Sequence, residues 1–496
     1  MKKRILSAIM ASLILMSLAS CTGGSSSSEP SSSSQSSQPS SSSQSSASSA
    51  PAKSEVQLVG EYELSPEIST GTILHAWCWS FNTIKDNLKD IAEAGYTAIQ
   101  TSPINECKVG ENGGMQLQDV DGSENNGKWY YHYQPTNYTI GNYQLGTEEE
   151  FKELCSEAKK YGIKIIVDAV VNHMTSDASV ISEDIYKITD QPFHTLGDVT
   201  NYNDRKQVTQ GNLLGLKDLN TQDPKIQQYI LGYLKQCVAD GASGFRYDAT
   251  KHIELSDDPE EYASDFWNVI LENGAEFQYG EVLQGGSDRI ASYADLLNVT
   301  SSTYGEFIRN SISNLDVSVS KWSDYGVNGL DTSKIVTWVE SHDNYCNDGS
   351  WAQLTEDDIK HGWAIIAARN GGTPLFFSRP AGASIDSQWG NNKIGEAGSD
   401  FYKSKEVAEV NKFRNHMIGL DETLSNPMDS EEIAMIERGS SGAVIVSISM
   451  DKEELKGVKT VLADGEYTDK VSGGKFTVKD GVLTGTLEPG AIVVLY

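Results

Sequence analysis

Between roughly residues 70 and 420, short apolar runs alternate with longer stretches of helical period, and this alternation restricts the fold more than any other feature. The runs are "TILHAW" (72–77), "AIQTSP" (98–103), "IKIIVDAVV" (163–171), "GFRYDA" (244–249), "FQYGEVL" (277–283), "KIVTWVESH" (334–342) and "PLFFS" (374–378). Each is close to continuously apolar, as parallel strands covered on both faces are. Between them lie helical stretches such as "TIKDNLKDIAEAG" (83–95) and "TEEEFKELCSEAKKYG" (147–162). The second opens on Thr147 with Glu150 three residues later, the spacing of a capping box, and closes at Gly162. With an eighth strand expected near "STYGEF" (302–307), the pattern predicts an α/β chain folded as a (β/α)₈ TIM barrel over 69–173 and 222–419. An open doubly wound sheet is the alternative. Residues 174–221 are too many for a plain loop and are expected to form a small inserted domain after the third strand. Over 420–496, "SGAVIVSIS", "KFTVKDG" and "AIVVLY" are separated by glycine-marked turns, which predicts a C-terminal antiparallel β-sandwich.

The first 21 residues read as an export signal: Lys2, Lys3 and Arg4, an apolar run to Leu18, then small residues. Leu18-Ala19-Ser20-Cys21 resembles the lipobox of bacterial lipoproteins, which implies a lipidated Cys21. A serine-rich tether is expected over 22–68, with its low-complexity part ending near Ala52, because such a composition buries too little to offset ordering entropy. The expected location is therefore extracellular, anchored to the cell membrane through the N-terminal lipid alone, with plain secretion as the alternative. The formal charge is −30, and −33 without the three basic residues of the signal, so the chain repels nucleic acid and no nucleic-acid partner is expected. The five cysteines beyond Cys21 (Cys78, Cys107, Cys155, Cys237 and Cys346) are odd in number and lack metal-type spacing. They are not a disulfide framework. Most read as small buried hydrophobes, and whether a pair such as Cys78 and Cys107 meets is left open.

Polar residues collect at the strand ends. Asp168, Asn172 and His173 follow the third strand, Arg246 and Asp248 end the fourth, Glu281 ends the fifth, and His342 and Asp343 end the seventh. In a barrel these ends open on one face, where active sites sit. Carboxylates gathered in one cleft repel one another, so Arg246 is expected to keep Asp248 ionised, while like charges raise the proton affinity of Glu281.

"DAVVNH" (168–173), "GFRYDATKH" (244–252), "GEVL" (280–283) and "VESHDN" (339–344) resemble, in order, four signature segments of the α-amylase family of retaining glycoside hydrolases, and "GLKDL" (215–219) resembles a fifth. "HAWCWSFNTIKDNLKDIAEAGYTAIQTSPINE" and "PLFFSRP" look like the secreted bacillus-type members. The resemblance implies Asp248 as nucleophile, Glu281 as acid/base and Asp343 as the third catalytic carboxylate. It implies substrate contacts from Tyr130, as the ring-stacking tyrosine, and from Gln134, His173, Arg246, Lys251 and His342. It also implies a calcium ion that pins the inserted segment through Asn172 and Asp218, with Thr209 and His252 as carbonyl donors. Some relatives need chloride, held by the strand-four arginine and an asparagine two residues before the third carboxylate. Here that second position is Ser341, so activity is expected without chloride, although Arg379 could assist an anion.

The reading is an endo-acting α-1,4-glucan hydrolase, monomeric, acting on starch and malto-oligosaccharides. An α-glucanotransferase or oligosaccharide α-glucosidase shares the same catalytic set. A catalytically silent starch-binding lipoprotein would lack a catalytic carboxylate, and here all three are present.

Overall fold

The computed structural model describes residues 54–110, 114–118 and 128–496; Cys21, the export signal and most of the tether lie outside the described residues. Eight parallel strands close a barrel: Ile73–Ala76, Ala98–Thr101, Lys164–Ala169, Gly244–Tyr247, Phe277–Gly280, Asn298–Thr300, Ile335–Trp338 and Thr373–Phe377, with the last paired to the first. Most strand positions are buried, because side chains pointing inward fill the barrel and those pointing outward meet helices. Ile73, Ala98, Ile166, Phe277, Val336 and Leu375 belong to one inner cluster. The third and fourth strands pair with Asp168 opposite Arg246, so a carboxylate and a guanidinium lie side by side.

Two expectations about elements change. "STYGEF" is not a strand but the start of the helix Ser302–Ser313, and the sixth strand is the preceding Asn298–Thr300. Ser301 caps the helix by accepting from Tyr304 N, and Tyr304, Ile308 and Ile312 recur at four-residue spacing on its buried face. The stretch 83–95 breaks at Asn87 into two short helices, Phe81–Asp86 and Leu88–Glu93. The capping box of Glu148–Lys160 forms as its spacing predicts.

Residues 59–68, assigned to the tether, belong to the folded body. Val59 bridges Leu64, Leu64 is 0% exposed, and Lys164 Nζ donates to Pro66 O at 2.6 Å. Their apolar side chains supply burial that the serine run lacks. Beyond the barrel, two four-stranded antiparallel sheets stack through Met435, Ile445, Phe476, Leu483 and Val493. Arg414 and Arg438 join the last barrel turns to the first of these sheets by donating to backbone carbonyls of residues 369, 372, 417 and 420. All five described cysteines are free, Cys78 and Cys107 included. No helix among the described residues is long and apolar enough to cross a membrane.

Candidate active site

The C-terminal ends of the strands open into one cleft of about 590 Å³. Arg246 is its electrostatic centre. Nη1 donates to Asp168 Oδ1 at 2.8 Å and to Asp248 Oδ1 at 2.7 Å, and Nη2 lies 3.1 Å from Glu281 Oε1. One guanidinium thus serves carboxylates from three adjacent strands. The arginine that the sequence assigns to Asp248 is shared with the proposed acid. Arg246 is 4% exposed and Asp248 8%, so the cluster is drawn out of water but still open to the cleft.

Ala249, directly after Asp248, adopts φ 49° and ψ 36°, a left-handed backbone that is rare outside glycine. This turn delivers its N–H to Glu281 Oε2 at 3.0 Å. Glu281 is therefore held at both oxygens. The segment "GFRYDATKH" contains Ala249 but gave it no role, because that role lies in the backbone.

Burial, and next the charge of Glu281, pushes the Asp343 carboxyl well above its ordinary value, although 34% of its side chain is exposed. Burial pushes Asp168 up to about 7 against the pull of Arg246. His342 Nε2 stands 3.5 Å from Asp343 Oδ2, and burial with the nearby arginine drives this imidazole down to about 3, so it is neutral at pH 7. His173 Nε2 donates to the Tyr133 carbonyl at 3.1 Å and lies 4.0 Å from Asp248 Oδ2. That leaves Nδ1 unprotonated to accept from Asn172 Nδ2 at 3.2 Å. Lys251, whose pKa burial lowers, donates from Nζ to Leu283 O at 3.0 Å. Tyr130, Gln134, His173, Lys251 and His342 all line the cleft. Gln134 Oε1 accepts from Thr175 Oγ1 at 3.0 Å.

The tyrosine in contact with the carboxylate and arginine cluster is Tyr133, three positions beyond Tyr130, and the sequence reading missed it. Its hydroxyl donates to Asp168 Oδ2 at 2.9 Å, its ring stacks on His342, and Arg246 lies over its face. Tyr130 packs edge-on against Trp129 and Tyr131 farther out. The only sequence signal for Tyr133 was its place directly before Gln134.

The residues implied for calcium fall in two pairs, Asn172 with Asp218 and Thr209 with His252. His173 pairs with Asp218 across a short antiparallel ladder, which sets Asn172 beside Asp218. His252 Nδ1 donates to Val208 O at 2.7 Å, which brings its turn against the residue before Thr209. Thr209 lies in the last turn of Arg205–Gln210, where backbone carbonyls lack intrahelical partners. Asp218 Oδ1 is buried without a hydrogen-bond partner, and burial followed by Glu254 pushes this carboxyl well up. Oδ2 accepts from His194 Nδ1 at 2.7 Å, and burial holds that histidine down near 4. Among the described residues no cluster of three or more His, Cys, Asp or Glu is arranged to hold a metal. The implied donor set has a single carboxylate, with amide and carbonyl oxygens for the rest, and such oxygen ligands fit a hard cation. His194 and the fully buried Glu254, pushed up to about 7 by burial, were not singled out in the sequence.

Ser341 Oγ accepts from Asn344 N as a helix cap, and Arg379 pairs with Glu340 at 2.8 Å.

Residues 80–304 match the family described as "Alpha amylase, catalytic domain". An alpha-amylase of Butyrivibrio fibrisolvens is 44% identical over 468 residues, covering 86% of this chain and 47% of that protein. One of Clostridium acetobutylicum is 40% identical over 447 residues, covering 88% and 55%. The chain thus spans about half the length of these curated relatives. The solved structure of an Eisenia fetida alpha-amylase I variant with maltohexaose superposes with a TM-score of 0.69 at 20% identity, covering 86% of this chain and 97% of that one. At that identity the likeness shows the fold alone.

Proposed function

The chain carries a catalytic domain of the alpha-amylase family of glycoside hydrolases, and on that premise we propose that it hydrolyses internal α-1,4-glucosidic bonds of starch and related glucans with retention. The observation that carries this reading is the single guanidinium of Arg246 bonded to both Asp248 and Glu281. It confines the two carboxyl groups to neighbouring strand ends, in keeping with the roughly 5–5.5 Å separation that retention requires.

Asp248 attacks the anomeric carbon while Glu281 gives its proton to the departing glycosidic oxygen, so the C–O bond breaks as the glycosyl ester forms. Glu281, now ionised, takes a proton from water, which attacks the same carbon and frees Asp248. Arg246 orients Asp248 throughout. In this reading neutral His342 and His173, with Asp343, hydrogen-bond the sugar hydroxyls around the reacting carbon. Asn172, Asp218 and the carbonyls of Thr209 and His252 would hold a calcium ion, which when bound would neutralise Asp218 and brace the cleft wall.

Asp248→Asn tests the reaction. A neutral amide cannot form the ester, so turnover on starch should fall by at least about three orders of magnitude with the fold retained. Near-normal turnover would sink the reading. Early loss of viscosity on soluble starch would support endo action, whereas net transfer to acceptor sugars would favour a glucanotransferase. The proposed location is outside the cell, held by lipid on Cys21. Cys21→Ser should release active enzyme or leave an uncleaved precursor, and an unlipidated wild-type protein in the medium would rule the anchor out.

A further inference from the structure

Arg205 lies outside the cleft lining, and no signature segment contains it. It opens the helix Arg205–Gln210, whose last turn carries Thr209, and Thr209 Oγ1 donates back to Arg205 O at 3.1 Å. Its guanidinium crosses to the turn that follows Asp248. Nη1 donates to Lys251 O at 2.8 Å and Nη2 to Ile253 O at 3.3 Å, so the carbonyls on either side of His252 are both gripped. Nη2 also reaches the Tyr293 hydroxyl at 2.9 Å.

The same guanidinium makes a two-point pair with Asp258, from Nε at 3.1 Å and Nη2 at 2.8 Å. The Asp258 side chain is 1% exposed. Its remaining capacity is filled by Leu255 N at 2.9 Å and Arg289 Nη1 at 2.6 Å. A planar fork bonded this fully has one geometry, which a lysine cannot reproduce. Removing the arginine would leave Asp258 buried beside only one cation.

We propose that Arg205 is a positioning residue: with Asp258 it clamps the inserted segment onto the Thr250–Ile253 turn without help from a metal. Lys251 and the carbonyls of Thr209 and His252 then stand in place before a cation or a glucan arrives. Calcium would enter a site already assembled, rather than draw two loose segments together. The inference rests on the cleft and calcium readings above for its consequences, but the clamp itself is a property of the chain.

The test compares full-length wild type, Arg205→Lys and Arg205→Met by amide hydrogen exchange over 205–211 and 250–258, in chelator and in excess calcium. Calcium titration and steady-state kinetics on maltoheptaose in saturating calcium follow. In chelator the wild-type segments should stay protected, whereas Arg205→Met should exchange there at least about tenfold faster with the rest of the barrel unchanged. Its calcium affinity should fall by at least about tenfold, and its KM should rise while kcat stays within about threefold. Arg205→Lys, the milder change should the other variant fail to fold, should lie between. The clamp is overturned if the chelated wild type already exchanges freely in both segments, or if the variants match it. It is equally overturned if only the melting temperature falls. A wild type that binds no calcium would remove the calcium reading, and one without activity on any glucan would remove the hydrolase reading. In either case the exchange rates still decide the clamp.

Discussion

Tyr133 and His342 stack face to face, with ring centroids 5.1 Å apart and planes 10° from parallel. The pair joins the turn Trp129–Tyr133, which lies between the second and third barrel strands, to the end of the seventh, directly above the guanidinium that holds the carboxylates. Tyr133→Phe keeps the stack and loses the hydrogen bond to Asp168. A hydrogen bond to a charged group is worth about 1.5 kcal/mol or more, so kcat/KM should fall about tenfold. Tyr133→Ala loses both contacts and should cost at least another tenfold or so. Equal kcat/KM values for Phe and wild type on maltoheptaose would show the hydroxyl to be idle.

Glu281→Gln removes the proton that the leaving oxygen needs. Starch hydrolysis should drop by at least about 10³-fold, near the upper range for general acid catalysis. Glucosyl fluoride needs no proton to depart, so its first step should suffer far less. Matching losses on both substrates would contradict the acid role.

Chelation should lower activity and melting temperature together, because Asp218 Oδ1 then has no partner in its buried site. A cation present at about 100 times its dissociation constant contributes roughly 2.7 kcal/mol. Thermal melts with and without calcium measure this. Asp218→Asn should abolish the difference, and a wild type indifferent to chelator would reject the site.

Activity should not depend on chloride. Both Nη groups of Arg246 are engaged by carboxylates, Ser341 is used as a cap, and Arg379 is bound to Glu340. No amide donor is left at position 341 to share an anion. Titrating chloride into a chloride-free assay should leave turnover unchanged, and strong activation would overturn this.

Acid should destabilise the fold partly through His132, which is fully buried and held down to about 4 by that burial. Unfolded, it titrates near 6.5, so between these values the unfolded chain binds the extra proton and stability falls as pH drops. The contribution is complete above about pH 6.5 and amounts to about 3 kcal/mol. Glu254, raised to about 7, acts in the opposite sense and favours the folded chain most below its unfolded value. His132→Gln should therefore flatten the fall in melting temperature between about pH 6.5 and 4. An unchanged slope would show that this histidine does not carry it.

How much could be read from the chain follows from the range of the interactions involved. Strand and helix alternation is written in neighbouring residues, and a barrel turns strand ends into one face. The order of segments alone therefore placed Asp168, Asp248, Glu281 and Asp343 together, with Arg246 among them. The capping box at Thr147 and Glu150 was legible for the same reason.

Which side chains meet across that face depends on packing between segments far apart in the chain. Nothing local marks Tyr133 rather than Tyr130 as the ring on His342, since the contact spans more than two hundred residues. The sharing of Arg246 with Glu281 depends on the register of two strands. His194 finds Asp218 only after the inserted segment folds back, and Arg205 finds Lys251 and Asp258 the same way. The sixth strand escaped notice because three residues carry too short a period, and Leu64 because its burial comes from partners distant in the chain. Local order along the chain sets the periodicity and the chemistry available at each strand end. The three-dimensional packing decided how those groups divide one guanidinium and one aromatic stack, because hydrogen bonds and ring contacts are set by distances in space that neighbouring residues do not encode.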